Sequence, residues 1–213
     1  MGALTNLAEN KIQDAVWRGQ ALGAPATHYF ALIAASRGYS SAVRSAVVSI
    51  GDTLLPTTPN GRMYRCTTGG TCGAGEPTWS TVNGGTTADG GTVVWTEMTP
   101  DFEAGTNLTE VSGGGYARQP LAASLANFAG TQALLSTTAS TGTGGQTANN
   151  VAITYGTPSA NWGVIGALVT ASSLAGALST DAWSYQTLTT PKTVNNGDSA
   201  PSFAISAFTN TLD

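Results

Sequence analysis

Charge is scarce in this sequence. Of 213 residues, 8 are Lys or Arg and 12 are Asp or Glu, a charged fraction of 9% against a usual value of about 25%. That scarcity excludes a coiled coil and a charge-rich disordered chain. With so few cations and a net charge of −4, clustered phosphate contacts are not expected, and nucleic acid is excluded as a partner. Cysteine is limited to Cys66 and Cys72, too few for a disulfide framework or a complete structural zinc site. Their C-x5-C spacing fits a small local disulfide and two reduced thiols equally well. Long apolar runs are missing too. Residues 151–180 carry no charge, but Asn161, Gly163, Gly166, Thr170, Ser172 and Ser173 interrupt them, so no membrane insertion is expected. The opening MGALTNLAENK lacks the basic start and apolar run of a signal peptide, and Asn6 stands where myristoylation wants Ser or Thr.

What the chain does have is glycine: 27 residues, roughly twice ordinary usage. Together with abundant Ser and Thr and 41% hydrophobic residues, this suits short strands joined by tight turns. One segment reads as a helix. Leu4, Leu7, Ala8, Ile12, Ala15 and Val16 recur at helical spacing, Asn6 is placed to cap it with Glu9 returning the bond, and Gly19 stops it. Its narrow apolar face (Leu7, Ile12, Val16) predicts packing onto a sheet or into a subunit interface. A strand follows over residues 24–33. Further strands are predicted over 116–121, 151–155, 163–169, 183–188 and 202–208, separated by polar turns such as Asn195-Asn196-Gly197-Asp198. This pattern predicts a mainly β fold: an antiparallel β-sandwich or jelly roll with an N-terminal helix and a small inserted β-module. Ile153, Val164, Leu168, Leu188, Phe203 and Ile205 are expected inward, with Trp162 and Trp183 over the ends. Residues 136–150, rich in Ser, Thr and Gly, are expected to form an exposed loop.

Composition shifts near residue 40. From there to residue 101 come dense turn signals at Pro59-Asn60-Gly61, Asn83-Gly84 and Asp89-Gly90, with short strand candidates over 62–66 and 92–96. The domain organisation read from this is a discontinuous sandwich over 1–39 and 102–213, interrupted by a module over 40–101. Within that module Tyr64, Trp79 and Trp95 admit two readings. They form its own core, the favoured one, or they make a surface that stacks on sugar rings of a host glycan.

A search for catalytic chemistry finds little. His28, the single histidine, lies inside an apolar strand, where a hydrogen-bonded structural histidine is favoured over a general base. HExxH spacing, a GxSxG elbow and a GxxxxGK[ST] loop are all missing. Acid pairs among Glu76, Asp89, Glu97, Asp101 and Glu103 are better explained as solvated or capping than as glycosidase carboxylates. The sequence is therefore read as non-enzymatic, with no catalytic residue, metal site or cofactor.

Several short stretches in order carry a resemblance. The run GTNLTEVSGGGYARQ over 105–119, then Asn149-Asn150-Val151-Ala152-Ile153-Thr154, Asn161-Trp162-Gly163, Pro191-Lys192-Thr193-Val194-Asn195-Asn196-Gly197-Asp198 and the closing residues 203–213 resemble small virion proteins of tailed bacteriophages. These are tail fibre or structural proteins, and similar jelly-roll proteins decorate capsids. The likeness spans residues 4–34 and 103–213. It implies a virion structural protein, in the capsid decoration or tail fibre class, assembled in the host cytoplasm. Its implied partners are other virion proteins and copies of itself, as a homo-oligomer or on a lattice. The segment 40–100 departs from that pattern and looks like small aromatic modules of phage and carbohydrate-binding proteins. The alternative function is therefore a glycan or receptor reader acting through it.

Overall fold

A computed structural model describes residues 2–35, 37–38 (backbone only) and 44–212. The compositional boundary at residues 39–40 lies outside the described residues. In chain order the elements begin with β1 (Ala3–Leu4), α1 (Asn6–Trp17) and β2 (Thr27–Ala34). Next come β3 (Arg37–Gly38), β4 (Val47–Val48), β5 (Thr53–Leu55), β6 (Tyr64–Thr68), β7 (Gly70–Thr71), β8 (Thr86–Asp89) and β9 (Val93–Glu97). The chain continues through β10 (Gln119–Ala122), β11 (Gln146–Ala148), β12 (Ile153–Thr154), β13 (Gly163–Ala171), α2 (Leu178–Asp181), β14 (Ala182–Val194), β15 (Ser202–Phe203) and β16 (Thr209–Thr211). The fold is mainly β, an antiparallel β-sandwich with one N-terminal helix. Contacts divide it into two compact units, one of Met1–Ala35 with Asp101–Asp213 and the other of Ser36–Pro100.

In the first unit a five-stranded sheet runs in the order β1-β14-β13-β2-β10, every pair antiparallel. Strand β2 shows why both faces of this sheet are covered. Its successive residues Phe30, Ala31, Leu32 and Ile33 are all buried, and side chains alternate between faces along a strand. Phe30 and Leu32 join Val111, Ile153, Tyr155, Trp162, Ile165, Leu168, Val194 and Phe208 in one core cluster. Ala31 and Ile33 join Ala167, Val169, Ala171, Leu178 and Ala182 in another. The first cluster takes Ile153 from the β12–β15 pair, and the β11–β16 ribbon continues that layer. The register between β13 and β14 slips sharply: Ile165 faces Lys192 but Ala167 faces Thr187, so β14 carries a bulge over residues 188–191. Pro191, which has no N–H to give a ladder, falls in that bulge. Gly166 sits at the same irregularity, where a Cβ would lie 2.9 Å from the Ala35 Cα; the close backbone approach requires glycine.

Several sequence expectations change. The helix is capped by Thr5, not Asn6: the Thr5 hydroxyl accepts from the Ala8 N–H at 3.4 Å and donates to the Ala182 carbonyl at 2.6 Å. Thr5 is buried at the junction of β1 and α1, whereas Asn6 is exposed. Gly19, at φ +67°, follows the Arg18 C-cap as predicted. Of the apolar helix face, Leu7 and Ile12 are half-buried, but Val16 is 64% exposed and Trp17 79%. Val164 and Ile205 are exposed rather than inward. Val164 precedes the register shift between Ile165 and Ala167, which puts Ile165 instead of Val164 in the same cluster as Leu168, and Ile205 lies just before Ser206 at φ +62°. Ile153 and Leu168 are buried, and Leu188 and Phe203 pack on the first cluster partly buried. Trp162 and Trp183 are buried, and the Trp162 indole N–H donates to the Gly114 carbonyl at 3.0 Å.

In the second unit the sheet order is β3-β5-β6-β9-β8, antiparallel except for β3 with β5, beside a β4–β7 pair. Gly84 (φ +71°) and Gly90 (φ +78°) occupy the left-handed turn positions that Asn83-Gly84 and Asp89-Gly90 announced.

Candidate functional site

Strands β6 and β9 pair with Cys66 opposite Trp95, which brings the aromatic residues of the second unit together. Tyr64 and Trp95 are fully buried, in a cluster with Val48, Leu54, Cys66, Cys72 and Val93. Trp79 covers that cluster from outside, half-buried, with its ring centroid 4.5 Å from Tyr64 and 6.2 Å from Trp95. The three rings named as an insertion surface are thus brought together, but two form the interior and Trp79 alone keeps part of its surface open. The cause is compositional: the unit has few aliphatic side chains, so its rings are the core. Polar ends are tied down: the Tyr64 hydroxyl donates to the Ser80 carbonyl at 2.7 Å, and the Trp79 indole to Glu76 at 2.8 Å.

Two carboxylates are buried in the same unit. Asp89 accepts from Arg44, from the Trp95 indole at 2.9 Å and from the Gly73 N–H at 3.0 Å. Burial opposes its ionisation, but the bonds from Arg44, Trp95 and Gly73 outweigh burial and hold the carboxyl below its ordinary value. Glu97 accepts from the Thr99 hydroxyl and N–H, the Gly84 N–H and Arg62. Burial again opposes ionisation and the hydrogen bonds prevail. Neither acid is free to bond a sugar hydroxyl. Cys66 and Cys72 are both buried and carry free thiols in this structure. The Cys66 thiol donates to the Thr68 carbonyl at 3.3 Å, and burial followed by the nearby carboxylates Asp52 and Asp89 pushes the two thiols up, away from reactive thiolate.

The sandwich holds a polar cluster that the sequence reading missed. Arg118, 5% exposed, donates to Glu110 through Nε (2.9 Å) and Nη2 (2.7 Å), to the Ser173 carbonyl and Asp181 through Nη1 (2.8 and 3.2 Å), and to the Gly176 carbonyl through Nη2 (2.7 Å). Those five bonds use all five guanidinium donors. Tyr116 completes the cluster, donating to Glu110 at 2.7 Å while accepting from the Leu32 N–H at 3.0 Å. Burial and then the Glu110 carboxylate push its phenol far above the usual range. With no donor left for a ligand, Arg118 is a clamp joining the 105–118 and 173–181 segments. Tyr116 and Arg118 sit within the GYAR stretch and Glu110 is eight positions before Arg118, but Ser173 and Asp181 lie 55 and 63 positions away, which leaves no local signal for the whole cluster.

Among the described residues no group of three His, Cys, Asp or Glu is placed to hold a metal ion, and no helix is long and apolar enough to cross a membrane. The family described as "Podophage GP4 fiber I protein gp80" matches residues 82–211, more than half of the chain. The chain belongs to that family. This fibre protein is a bacteriophage virion component of the structural, fibre class, and the match runs from the β8–β9 hairpin through the sandwich to β16. No curated protein matches the sequence.

Proposed function

We propose that this chain is a non-enzymatic component of a phage fibre, assembled in the host cytoplasm and held in the virion in several copies by contacts with other virion proteins and with itself. The family match over residues 82–211 carries this reading. It favours a fibre position over capsid decoration, because the family description names a fibre. The buried ionisable groups support a structural role: Asp89, Glu97, Asp181 and Arg118 all direct their hydrogen bonds inward. Val16 and Trp17 at the end of α1 offer exposed apolar surface for a neighbour. Immuno-gold labelling of purified particles tests the proposal. Label along fibres is expected; label spread over the head would support decoration, and unlabelled particles would remove a virion role.

A second reading rests on Trp79, the one ring of the aromatic layer with open surface. In it the second unit contacts a host-surface glycan by stacking. Glycan-array binding by the whole chain, lost in Trp79→Ala, supports it; no binding on the array removes it.

A further inference from the structure

A cleft of about 720 Å³ lies alongside the bulge of β14 in the sandwich. One rim is the bulged strand itself, with Leu188, Thr190 and Lys192, and the other is the segment 198–203. Leu32 from β2 and Ile165 from β13, both buried, form the floor. The walls above it are open to solvent. Leu188, Pro201 and Phe203 are half-buried, and Thr190, Lys192 and Asp198 are exposed.

The bulged rim is strand without a ladder. Its inner neighbour β13 skips from Thr187 to Lys192, and its outer neighbour β1 pairs only with Ser184 and Tyr185, so residues 188–191 have no register partner on either side. A strand edge left open in this way is a template for another chain. The two rims also carry opposite charges that are not spent on each other. Neither Lys192 nor Asp198 joins an ion pair among the described residues. Asp198 gives one carboxylate oxygen to the Asn195 N–H at 2.7 Å, and Lys192 extends into solvent. Cation on one rim, acid on the other and apolar wall between make the patch complementary to itself, as a two-fold contact requires. We infer that the cleft receives the 188–192 rim of a second copy of this chain, with Lys192 of each copy paired to Asp198 of the other. In that contact the two bulged rims lie side by side between the two 198–203 segments. Leu188, Pro201 and Phe203 are covered, and the unladdered main chain of one rim meets that of the other. Exposed ion pairs add little affinity, so covering the apolar wall holds the contact and the charges set its register. The inference rests on the fibre reading for the presence of several copies and names the surface that joins them.

Analytical ultracentrifugation of the full-length protein, at concentrations up to about 1 mM to reach weak association, tests this. A reversible dimer is expected, weakened by added salt. Lys192→Glu and Asp198→Lys should each weaken it at least about 10-fold, because each sets like charges against one another across the contact. An equimolar mixture of the two variants should restore it, since every pair across the contact then joins opposite charges again. Thr190→Trp, at an exposed position on the rim, should abolish the dimer with no change of charge, which keeps the test decisive if Asp198→Lys disturbs its turn. A wild-type chain that stays monomeric throughout overturns the inference. So does a dimer unaffected by both Lys192→Glu and Thr190→Trp, or a mixture of charge variants, each folded by circular dichroism, that associates no better than either alone. A monomer in solution with label along fibres would remove this contact and leave the fibre reading standing; a dimer with unlabelled particles would do the reverse.

Discussion

The sandwich and the Ser36–Pro100 unit are built from different interiors. The sandwich buries aliphatic and aromatic side chains against both faces of one sheet, and its Arg118 cluster adjoins the first of these cores through the Tyr116 ring. Among the described residues the smaller unit has one cluster, in which Trp95 and Tyr64 are the largest side chains, and it buries Asp89 and Glu97 as well. A unit of this size buries a smaller share of its surface than a larger domain does and is correspondingly marginal. Its carboxylates therefore act as internal ties, each collecting N–H groups from several turns. The lesson is one of vulnerability: the sandwich should be most sensitive to lost volume, the smaller unit to lost hydrogen bonds.

The largest effect expected is from Asp89→Ala. It removes the carboxylate that pairs with Arg44, whose side chain is 10% exposed, and the acceptor for Trp95 and Gly73, a loss of about 3–5 kcal/mol for a broken buried pair. Hydrogen exchange by mass spectrometry should show peptides from 44–100 losing protection while those from 102–212 keep it. Equal loss in both would erase the contrast. Ile153→Ala is the corresponding test in the sandwich, expected to cost about 2–5 kcal/mol, whereas Val164→Ala at its exposed position should stay within about 0.5 kcal/mol. Chemical denaturation of the pair measures both, and similar costs would mean that the face assignment fails.

Acid should separate the units more gently. Asp89 and Glu97 titrate below their ordinary values despite burial, because their hydrogen bonds prevail. A carboxyl lowered on folding gives stability that is present above its unfolded value and lost as the pH falls through its folded value, so the smaller unit should weaken below about pH 4. The sandwich shares this acid loss through Asp181, held low by its bonds from Ser172 and Ser173 against burial, and adds an earlier, smaller response through His28, whose value burial lowers. Its unfolded form takes up a proton first, so stability should begin to fall below about pH 6.5. Melting temperatures across pH 3–8 for wild type and His28→Gln check this. A decline of equal size between pH 7 and 5 in both proteins would exclude His28 as the cause.

How much of this was legible follows from which forces act locally. Turn chemistry was readable at Asn83-Gly84 and Asp89-Gly90, because a positive φ is demanded by residues adjacent in sequence. Strand β13 was readable from its run of aliphatics, and the strand after His28 from a sequence apolar on both faces. The extension of β14 past Leu188 was not: a strand that bulges over residues 188–191 and resumes at Lys192 keeps its register only through its partner. The cap was misread because Thr5 and Asn6 are both good caps in isolation, and the Ala182 carbonyl that selects Thr5 lies 177 positions away. The far side of the Arg118 clamp was hidden for the same reason, since Ser173, Gly176 and Asp181 lie 55 to 63 positions away.

The fibre assignment itself is tested most directly by difference density. Cryo-electron microscopy of wild-type particles is compared with particles from a phage deleted for this gene. The account predicts that density disappears along a fibre and that the head surface is unchanged. Loss of head-surface density with fibres intact, or identical maps, would contradict it.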